Sequence, residues 1–288
     1  MTRTIPAQLA VSCSKTPERR AWLERLPGVL GLLESRWGLG IGLPFDREDV
    51  TCAWVAPVVL AAGGSAVLKV GMPHMEADHE LAGLRFWDGD PTIRVVDADD
   101  KLGAMLLERC EPGTPLRTIP EPEQDVVIAS MLHRLWRKPP EPHPFRPLYR
   151  LIEYWSAETL ADRARWPDAG LVREGLRILD ELARTASREV LLATDLHAGN
   201  VLRAAREPWL AIDPKPFVGD PAYDATQHLI NCETRLHGDP EGLIGRMADL
   251  MESDRERVRL WMFGRVAAEP RQNWGDDEWM ALARRIGP

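Results

Sequence analysis

Two carboxylates and an amide lie close together in the C-terminal half of the sequence, in an order that suits one kind of chemistry. Asp195 follows an apolar segment at 190–192, and Asn200 comes five residues later. Asp213 follows a second apolar segment at 209–212. We expect a strand before Asp195 and a hairpin between Asn200 and Asp213, so that one rigid unit holds all three side chains. A carboxylate can orient a hydroxyl group and accept its proton, and carboxylate and amide oxygens are ligands for Mg²⁺. The segment therefore predicts phosphoryl transfer, with Asp195 as the base and Asn200 and Asp213 as metal ligands.

Two neighbouring residues predict support for this segment. His197 lies inside the loop, where it can hydrogen-bond the backbone or reach toward Asp213. Asp220 precedes Pro221, which is typical of a helix N-cap, and it can also support the catalytic loop. For both we expect a structural role and no part in the chemistry.

A lysine inside an apolar strand suggests a second part of the site. Lys69 lies in the run 67–70, where a charged side chain needs a partner. Glu80, eleven residues later, is the preferred partner, and Glu76 is its rival. In kinases a strand lysine paired with a helix glutamate contacts the α- and β-phosphates of ATP. Lys69 and Glu80 are therefore predicted to bind a nucleotide.

The remaining nucleotide contacts have weaker signals. The sequence contains neither a G-x-G-x-x-G nor a Walker A pattern. The loop from Phe45 to Thr51 is expected to cover the phosphates, with Thr51 as a hydroxyl or backbone donor. Glu108 and Cys110 follow a buried-looking strand, and the backbone there is expected to bind the adenine edge. A plain exit from the strand is the alternative.

The pattern of apolar residues and turn residues predicts two lobes. A helix begins at Pro17 and bends or breaks at Pro27–Gly28, and another follows Pro73. The predicted strands are 38–45, 52–60, 66–70, 92–96 and 104–107. Beyond residue 110 helical spacing dominates. The fold class is α+β, with a sheet lobe containing one main helix at 1–109 and a larger, mainly helical lobe at 110–288.

Composition narrows the function classes. The net charge of −8 and the pI of about 5.5 argue against a nucleic-acid partner and suit a cationic small molecule. The four cysteines form no C-x-x-C pair, which is typical of a reducing compartment. Met1 to Val11 lacks the apolar core of a signal peptide, and no run reaches the roughly 18 apolar residues of a membrane helix. We therefore expect a cytoplasmic monomer or dimer.

The same residues carry a resemblance to a known family. The segments 106–116, 191–202 and 212–224 resemble the aminoglycoside/hydroxyurea phosphotransferases, in particular the streptomycin 6-kinase-like branch, and 67–70 and 79–89 are similar to its strand lysine and following helix. The resemblance implies a protein-kinase-like fold that binds ATP between its lobes. It assigns Asp195 as base, Asn200 and Asp213 as metal ligands, and Lys69 as phosphate contact. The family often has His-Gly before the catalytic aspartate, where this chain has Ala193 and Thr194.

These observations favour transfer of the ATP γ-phosphate, with Mg²⁺, to a hydroxyl group of a small molecule. An aminoglycoside such as streptomycin, with a role in antibiotic resistance, is the first hypothesis. A sugar, an amino alcohol or another hydroxyl metabolite is the alternative acceptor. A non-catalytic nucleotide-binding module and a metal-dependent hydrolase remain open. Acidic and aromatic residues near the C-terminus are candidates for binding a cationic acceptor: Glu233, Trp274, Asp276 and Asp277.

Overall fold

An antiparallel sheet dominates the N-terminal part of the chain. The computed structural model describes residues 4–46, 51–270, 274 and 277–288. The strands of this sheet are β1 (Leu39–Ile41), β2 (Ala53–Leu60), β3 (Ser65–Gly71), β4 (Val95–Asp99) and β5 (Ala104–Glu108). They are ordered β1-β2-β3-β5-β4, and every neighbouring pair is antiparallel. The predicted strand at 92–96 was placed too early, because the chain pairs with β5 from Val95 onward.

Two helices cover one face of the sheet. They are α1 (Ala7–Cys13) and α2 (Pro17–Trp37). Thr16 caps α2 by accepting the Arg19 N–H at 3.3 Å, and Gly38 ends it in a left-handed conformation with φ 61°. The prediction for Pro27–Gly28 was a bend or a break, and the break is wrong, because α2 runs without interruption from Pro17 to Trp37. Pro27 and Gly28 lie on the exposed side of α2, while Leu26 and Leu30 continue the buried stripe past them. Packing of that stripe on the sheet outweighs the hydrogen bond that a proline removes from the helix.

The opposite face of the sheet carries the charged residue that the sequence singled out. Leu68 and Val70 of β3 belong to the core beneath α2. Side chains alternate along a strand, so Val67 and Lys69 lie on the other face, where α3 (Glu80–Trp87) packs. The chain between β3 and α3 forms a short 3₁₀ turn at Met75–Ala77, so the helix begins later than Pro73.

Helices make up most of the remaining chain. They are α4 (Glu121–Leu135), α5 (Leu148–Ala161), α6 (Ala169–Arg184), α7 (Pro221–Asn231), α8 (Glu233–Gly238), α9 (Pro240–Leu250), α10 (Arg255–Ala268) and α11 (Asp277–Ile286). Four short strands lie between α6 and α7: β6 (Val190–Leu192), β7 (Val201–Leu202), β8 (Leu210–Ala211) and β9 (Phe217–Gly219). The sheet-then-helix architecture agrees with the predicted fold class, and the division into 1–109 and 110–288 remains a prediction.

A buried aspartate ties four of these helices together. Asp125 of α4 accepts hydrogen bonds from His228 of α7 at 3.0 Å, from Arg235 of α8 and from Arg246 of α9 at 2.9 Å. Burial alone would raise the pKa of Asp125, but these three partners hold it well below its ordinary value. The ionised carboxylate therefore has partners on every side and stabilises the helical packing. Among the described residues, no helix is long and apolar enough to cross a membrane.

The contact between α3 and the segment after β8 leaves no space for an added methyl group. A Cβ on Gly83 would lie 2.9 Å from Trp87 Cζ3 and against the Pro216 ring. We predict that Gly83→Ala lowers the free energy of unfolding by about 1–3 kcal/mol, measured by urea titration. Gly31→Ala is the matched control, because it lies in α2 with no atom within 4 Å of the new Cβ. It should raise stability by about 0.5–1 kcal/mol. Equal behaviour of the two variants would contradict the close packing of α3.

Candidate active site

The loop that carries Asp195 is held by strands on both sides. Strand β6 pairs with β9, and β7 pairs with β8, as antiparallel ladders. Ile212 N–H donates to Asn200 O at 2.9 Å, so the loop and the end of the hairpin adjoin. Two non-glycine residues in this unit adopt left-handed backbone conformations, Thr194 with φ 49° and Asp213 with φ 52°. Such conformations cost free energy and persist only where surrounding contacts hold them.

The contacts that hold Thr194 come from one buried carboxylate and one carbonyl. Asp224 of α7 accepts the Thr194 N–H at 2.7 Å and the Ala193 N–H at 3.1 Å. Its second oxygen also accepts Trp136 Nε1–H at 3.0 Å. Thr194 Oγ1 donates to the carbonyl oxygen of Lys215 at 2.6 Å. Three hydrogen bonds therefore fix the chain immediately before Asp195, and the bond from Trp136 holds the Asp224 carboxylate in place.

The Asp195 carboxylate is fixed at both oxygens. Gln227 Nε2 donates to Oδ1 at 2.9 Å, and Asn200 Nδ2 lies 3.3 Å from Oδ2 and 3.1 Å from the Asp195 carbonyl oxygen. Removal from water is the main cause that raises the pKa of Asp195 to about 7. The positive charge of Lys215 opposes this rise, and the negative charges of Asp213 and Glu76 add to it. A carboxylate with that pKa accepts a proton more readily than an ordinary aspartate does.

Lys69 joins the sheet to the hairpin. Its Nζ lies 2.6 Å from Glu80 Oε1 on α3 and 2.6 Å from Asp213 Oδ1. Lys215 forms an ion pair with the same oxygen of Asp213. Burial by itself would raise the pKa of Asp213, but the two ammonium groups lower it well below its ordinary value. The rival partner Glu76 instead accepts Trp155 Nε1–H at 3.1 Å, which places it away from Lys69.

The other predicted nucleotide contacts are only partly brought together. Thr51 is described, with Oγ1 3.5 Å from Cys52 Sγ, but residues 47–50 of the predicted phosphate loop lie outside the described residues. The backbone and the carboxylate of Glu108 are both held by hydrogen bonds at the end of β5. Its N–H donates to Arg94 O at 2.9 Å, and Arg206 binds its carboxylate. Cys110 packs against the small apolar cluster beneath β5. The adenine contact stays a prediction.

The two predicted supporting residues have different positions. His197 Nδ1 accepts the Gly199 N–H at 3.2 Å, so it shapes the turn of the catalytic loop. Asp220 caps α7 by accepting the Ala222 N–H at 3.1 Å, and Trp261 Nε1 donates to its other oxygen at 2.7 Å. Asp220 thus ties α7 to α10, and the direct contact with the catalytic loop comes from Asp224.

A cavity of about 300 Å³ opens beside Asp195. Lys215 and Gln227 line it at the catalytic end. Farther along, its wall includes the acidic residues Glu76 and Glu158 and the aromatic ring of Trp155.

Of the residues predicted to bind the acceptor, the two that the structure describes fully, Glu233 and Trp274, do not line this cavity. Glu233 lies exposed at the start of α8, and Trp274 is buried in the core of the helical part. Asp276 and the side chain of Asp277 lie outside the described residues. An acidic cluster in the sequence carries no information about which cavity the helices will enclose.

Several residues at the cavity were missed at the level of sequence. Lys215 had a usable signal, because it stands two residues after the predicted metal ligand Asp213. Gln227 also had one, since it is one helical turn beyond Asp224 on α7. Trp155 on α5 and Arg265 on α10 had none, because nothing local in the sequence says which helices pack around the loop.

Comparison with known proteins agrees with this geometry. Residues 46–272 match the model of the aminoglycoside/hydroxyurea antibiotic resistance kinase family. The chain belongs to this family. A hydroxyurea phosphotransferase from Kitasatospora aureofaciens is 37% identical over 257 residues, which cover 86% of this chain and 73% of the relative. A streptomycin 6-kinase from Streptomyces griseus is 35% identical over 277 residues, covering 91% and 88%.

The fold is shared with more distant kinases. A choline kinase from Streptococcus pneumoniae superposes with a TM-score of 0.64 at 12% identity, covering 91% of this chain and 99% of that one. The expected protein-kinase-like fold is therefore confirmed, and so is the membership of a small-molecule kinase family that acts on hydroxyl groups.

The strained backbone at Thr194 gives a test of how this resistance-kinase loop is held. Thr194→Val keeps the branched shape but leaves the Lys215 carbonyl without its buried donor. We predict a loss of about 1–3 kcal/mol in unfolding free energy by urea titration. Thr194→Gly also loses the hydroxyl but relieves the left-handed strain, worth about 1–2 kcal/mol, so it should be the more stable of the two. The reverse order would show that the φ of Thr194 carries no strain.

Proposed function

We propose that this kinase transfers the γ-phosphate of ATP to a hydroxyl group of a small cationic molecule, with streptomycin the first acceptor to test. One observation carries the proposal. Asp195 lies on the wall of a cavity of about 300 Å³, beside the Lys69–Asp213–Lys215 cluster. A hydroxyl group in the cavity can therefore meet the base and a phosphate held by the lysines at the same place.

The chemical step needs one proton acceptor and an in-line phosphate. Asp195 accepts the hydroxyl proton as the acceptor oxygen bonds to the γ-phosphorus and the bond from that phosphorus to ADP breaks. Gln227 and Asn200 keep the carboxylate in place through its two oxygens. Lys215 lines the cavity next to Asp195, so its ammonium group can stabilise the negative charge of the transferring phosphate.

The donor atoms at the end of the hairpin fit Mg²⁺ and a nucleotide phosphate. Asn200 uses its amide nitrogen toward Asp195, so its oxygen is the atom that remains for a cation. Asp213 supplies a carboxylate whose pKa is lowered, which keeps it ionised and suited to a hard cation. Held by these residues, Mg²⁺ would offset the negative charge of the phosphates. Lys69, held by Glu80, is the proposed contact to the α- and β-phosphates.

The charges of the cavity favour a cationic acceptor. The two basic residues in the described part of its wall already have acidic partners, Lys215 with Asp213 and Arg265 with Glu269. Glu76 and Glu158 add negative charge to the same wall. Trp155 offers a ring face beside them, which suits a positively charged group. A neutral sugar would bring no positive charge to offset these two carboxylates, so an amino or guanidino compound is the better fit.

Two alternatives receive less support. A non-catalytic nucleotide-binding module would not need a carboxylate that is fixed at both oxygens beside a cavity, as that of Asp195 is. A metal-dependent hydrolase would leave the buried Lys69–Glu80 pair without a function.

We infer a cytoplasmic location, where ATP is available and where free cysteines such as the four in this chain persist.

Replacing the proposed base tests the catalytic assignment. Asp195→Asn keeps the shape of the side chain and one acceptor oxygen, but it loses the second acceptor oxygen and cannot accept the proton. We predict that kcat for streptomycin falls by about 10²- to 10⁴-fold, measured by coupled ADP release, while the Kd for Mg-ATP stays within a factor of about two. Retained turnover in the variant would contradict the role of Asp195. A parallel panel of sugars, amino alcohols and other hydroxyl antibiotics identifies the acceptor if streptomycin is inert.

Removing one acidic charge tests the acceptor class. Glu158→Gln should raise the KM for streptomycin by about two- to fivefold and leave the KM for ATP unchanged, because an exposed ion pair is worth about 0.2–1 kcal/mol. Glu181→Gln is the control for net charge. Glu181 lies on α6, pairs with Arg177 and is not among the described residues that line the cavity. Identical acceptor KM values in both variants and the wild-type protein would argue against a cation at this wall.

A further inference from the structure

A chain of hydrogen bonds leads from a buried arginine to the proposed base. Arg265 Nη2 donates to Gln227 Oε1 at 2.9 Å, and Gln227 Nε2 donates to Asp195 Oδ1 at 2.9 Å. The three residues come from α10, α7 and the catalytic loop, so the chain joins three elements that are distant in sequence. None of the functional roles described above explains why a charged group lies behind the glutamine.

The chemistry of the three groups makes the chain directional. A glutamine amide can present either its oxygen or its NH₂ group to a neighbour, and the two orientations have the same shape. A guanidinium group can only donate, so Gln227 must turn its oxygen to Arg265. Its NH₂ group then faces Asp195. The opposite orientation would set an amide oxygen against a carboxylate oxygen and two donors against each other.

Arg265 can impose this choice because it is itself immobilised. Its side chain is 3% exposed, and Nε and Nη2 bind both oxygens of Glu269 at 2.8 and 3.1 Å. Nη1 donates to Thr226 Oγ1 at 2.8 Å. The guanidinium carbon also lies 5.3 Å from the ring centre of Trp155 and 5.4 Å from that of Tyr223. Hydrogen bonds along its edge and contacts with two aromatic rings therefore immobilise the guanidinium group.

The end of the chain determines which way the base points. Rotation about the last bond of an aspartate is soft, and a carboxylate held at one oxygen can still turn. Asn200 approaches Oδ2 at the longer distance of 3.3 Å, so the shorter bond from Gln227 to Oδ1 is the stronger restraint. An attacking hydroxyl must meet a carboxylate lone pair within hydrogen-bond reach, so free rotation would reduce the fraction of productive encounters.

We propose that Arg265 and Gln227 are positioning residues, in which Arg265 sets the orientation of the Gln227 amide and Gln227 fixes the carboxylate of Asp195. This inference rests on the proposed function for its effect on rate. The arrangement of the amide does not depend on it, so the two can be tested separately.

Substitutions at Gln227 separate positioning from packing. Gln227→Glu keeps the shape and the acceptor for Arg265 but loses the N–H that Asp195 receives. Gln227→Met loses both. We expect both variants to lower kcat for streptomycin by about 10- to 100-fold, with the KM for Mg-ATP within about twofold of the wild-type value. Gln124→Met on α4, which also removes a glutamine hydrogen bond, is the matched control and should leave kcat unchanged. Wild-type kcat in Gln227→Glu would overturn the proposal, because a packing role alone survives that change.

A double-mutant cycle tests whether Arg265 acts through Gln227. Arg265→Met should lower kcat in the wild-type background but by less than about twofold when Gln227 is already methionine. Arg265→Lys, which keeps a donor and the charge opposite Glu269, should restore part of the lost rate. Effects of Arg265→Met and Gln227→Met that multiply in the double variant would show independent roles and overturn the relay.

An activity-free readout distinguishes this inference from the proposed function. The side-chain amide signal of Gln227, identified in ¹⁵N spectra by its loss in Gln227→Met, should shift in Asp195→Asn and in Arg265→Met. An unchanged signal in either variant overturns the relay even if the protein is a kinase. If the signal shifts as expected but the wild-type protein phosphorylates no acceptor in the panel, the proposed function fails while the hydrogen-bonded chain stands.

Discussion

Lys69 is the point at which the sheet and the helical part of the molecule meet chemically. Its ammonium group is buried, and it lies 2.6 Å from carboxylates on both sides, Glu80 on α3 and Asp213 at the end of the hairpin. A buried cation that loses either partner is strongly unfavourable, so the three elements must keep one relative arrangement. The close approach of Gly83 to Pro216 serves the same geometry, because it brings α3 directly onto the segment that follows Asp213.

That arrangement also explains the strain in the catalytic loop. Asp213 reaches Lys69 and Lys215 from a left-handed backbone conformation, and Thr194 adopts another directly before the base. A glycine in place of Thr194 would adopt this φ with less strain. The threonine hydroxyl offsets part of that strain through its bond to the Lys215 carbonyl, and Asp224 holds the adjoining N–H groups. The resemblance led us to expect a histidine where this chain has Ala193. The loop is nevertheless anchored, because the contacts of Asp224 and Thr194 hold it.

The predictable part of the site was the part encoded over short distances. The hairpin that carries Asn200 and Asp213 follows from two apolar runs and a polar loop, and the Lys69–Glu80 pair follows from one strand and the next helix. Sequence reasoning failed where the outcome depends on packing between distant elements. Pro27 was expected to interrupt α2, but burial of the helix stripe on the sheet decided its conformation. Trp155, Gln227 and Arg265 line the cavity beside Asp195 only because α5, α7 and α10 pack around its loop.

This division has a chemical consequence for the protein. The groups proposed to handle phosphate lie on a strand, a short helix and a hairpin whose geometry is held by buried ion pairs. The groups that would contact the acceptor project from long helices and include exposed side chains such as Glu158. Substitution of an exposed helix residue changes the free energy of unfolding little. Loss of one member of a buried ion pair lowers it by about 3–5 kcal/mol. Acceptor preference can therefore change on this scaffold while the phosphate chemistry stays the same.

The Arg265–Gln227 chain shares a feature with each of these two groups of residues. It is buried like the residues proposed to bind phosphate, and it lies on helices like the residues that would contact the acceptor. A change in the acceptor cavity would therefore disturb the base first through this chain.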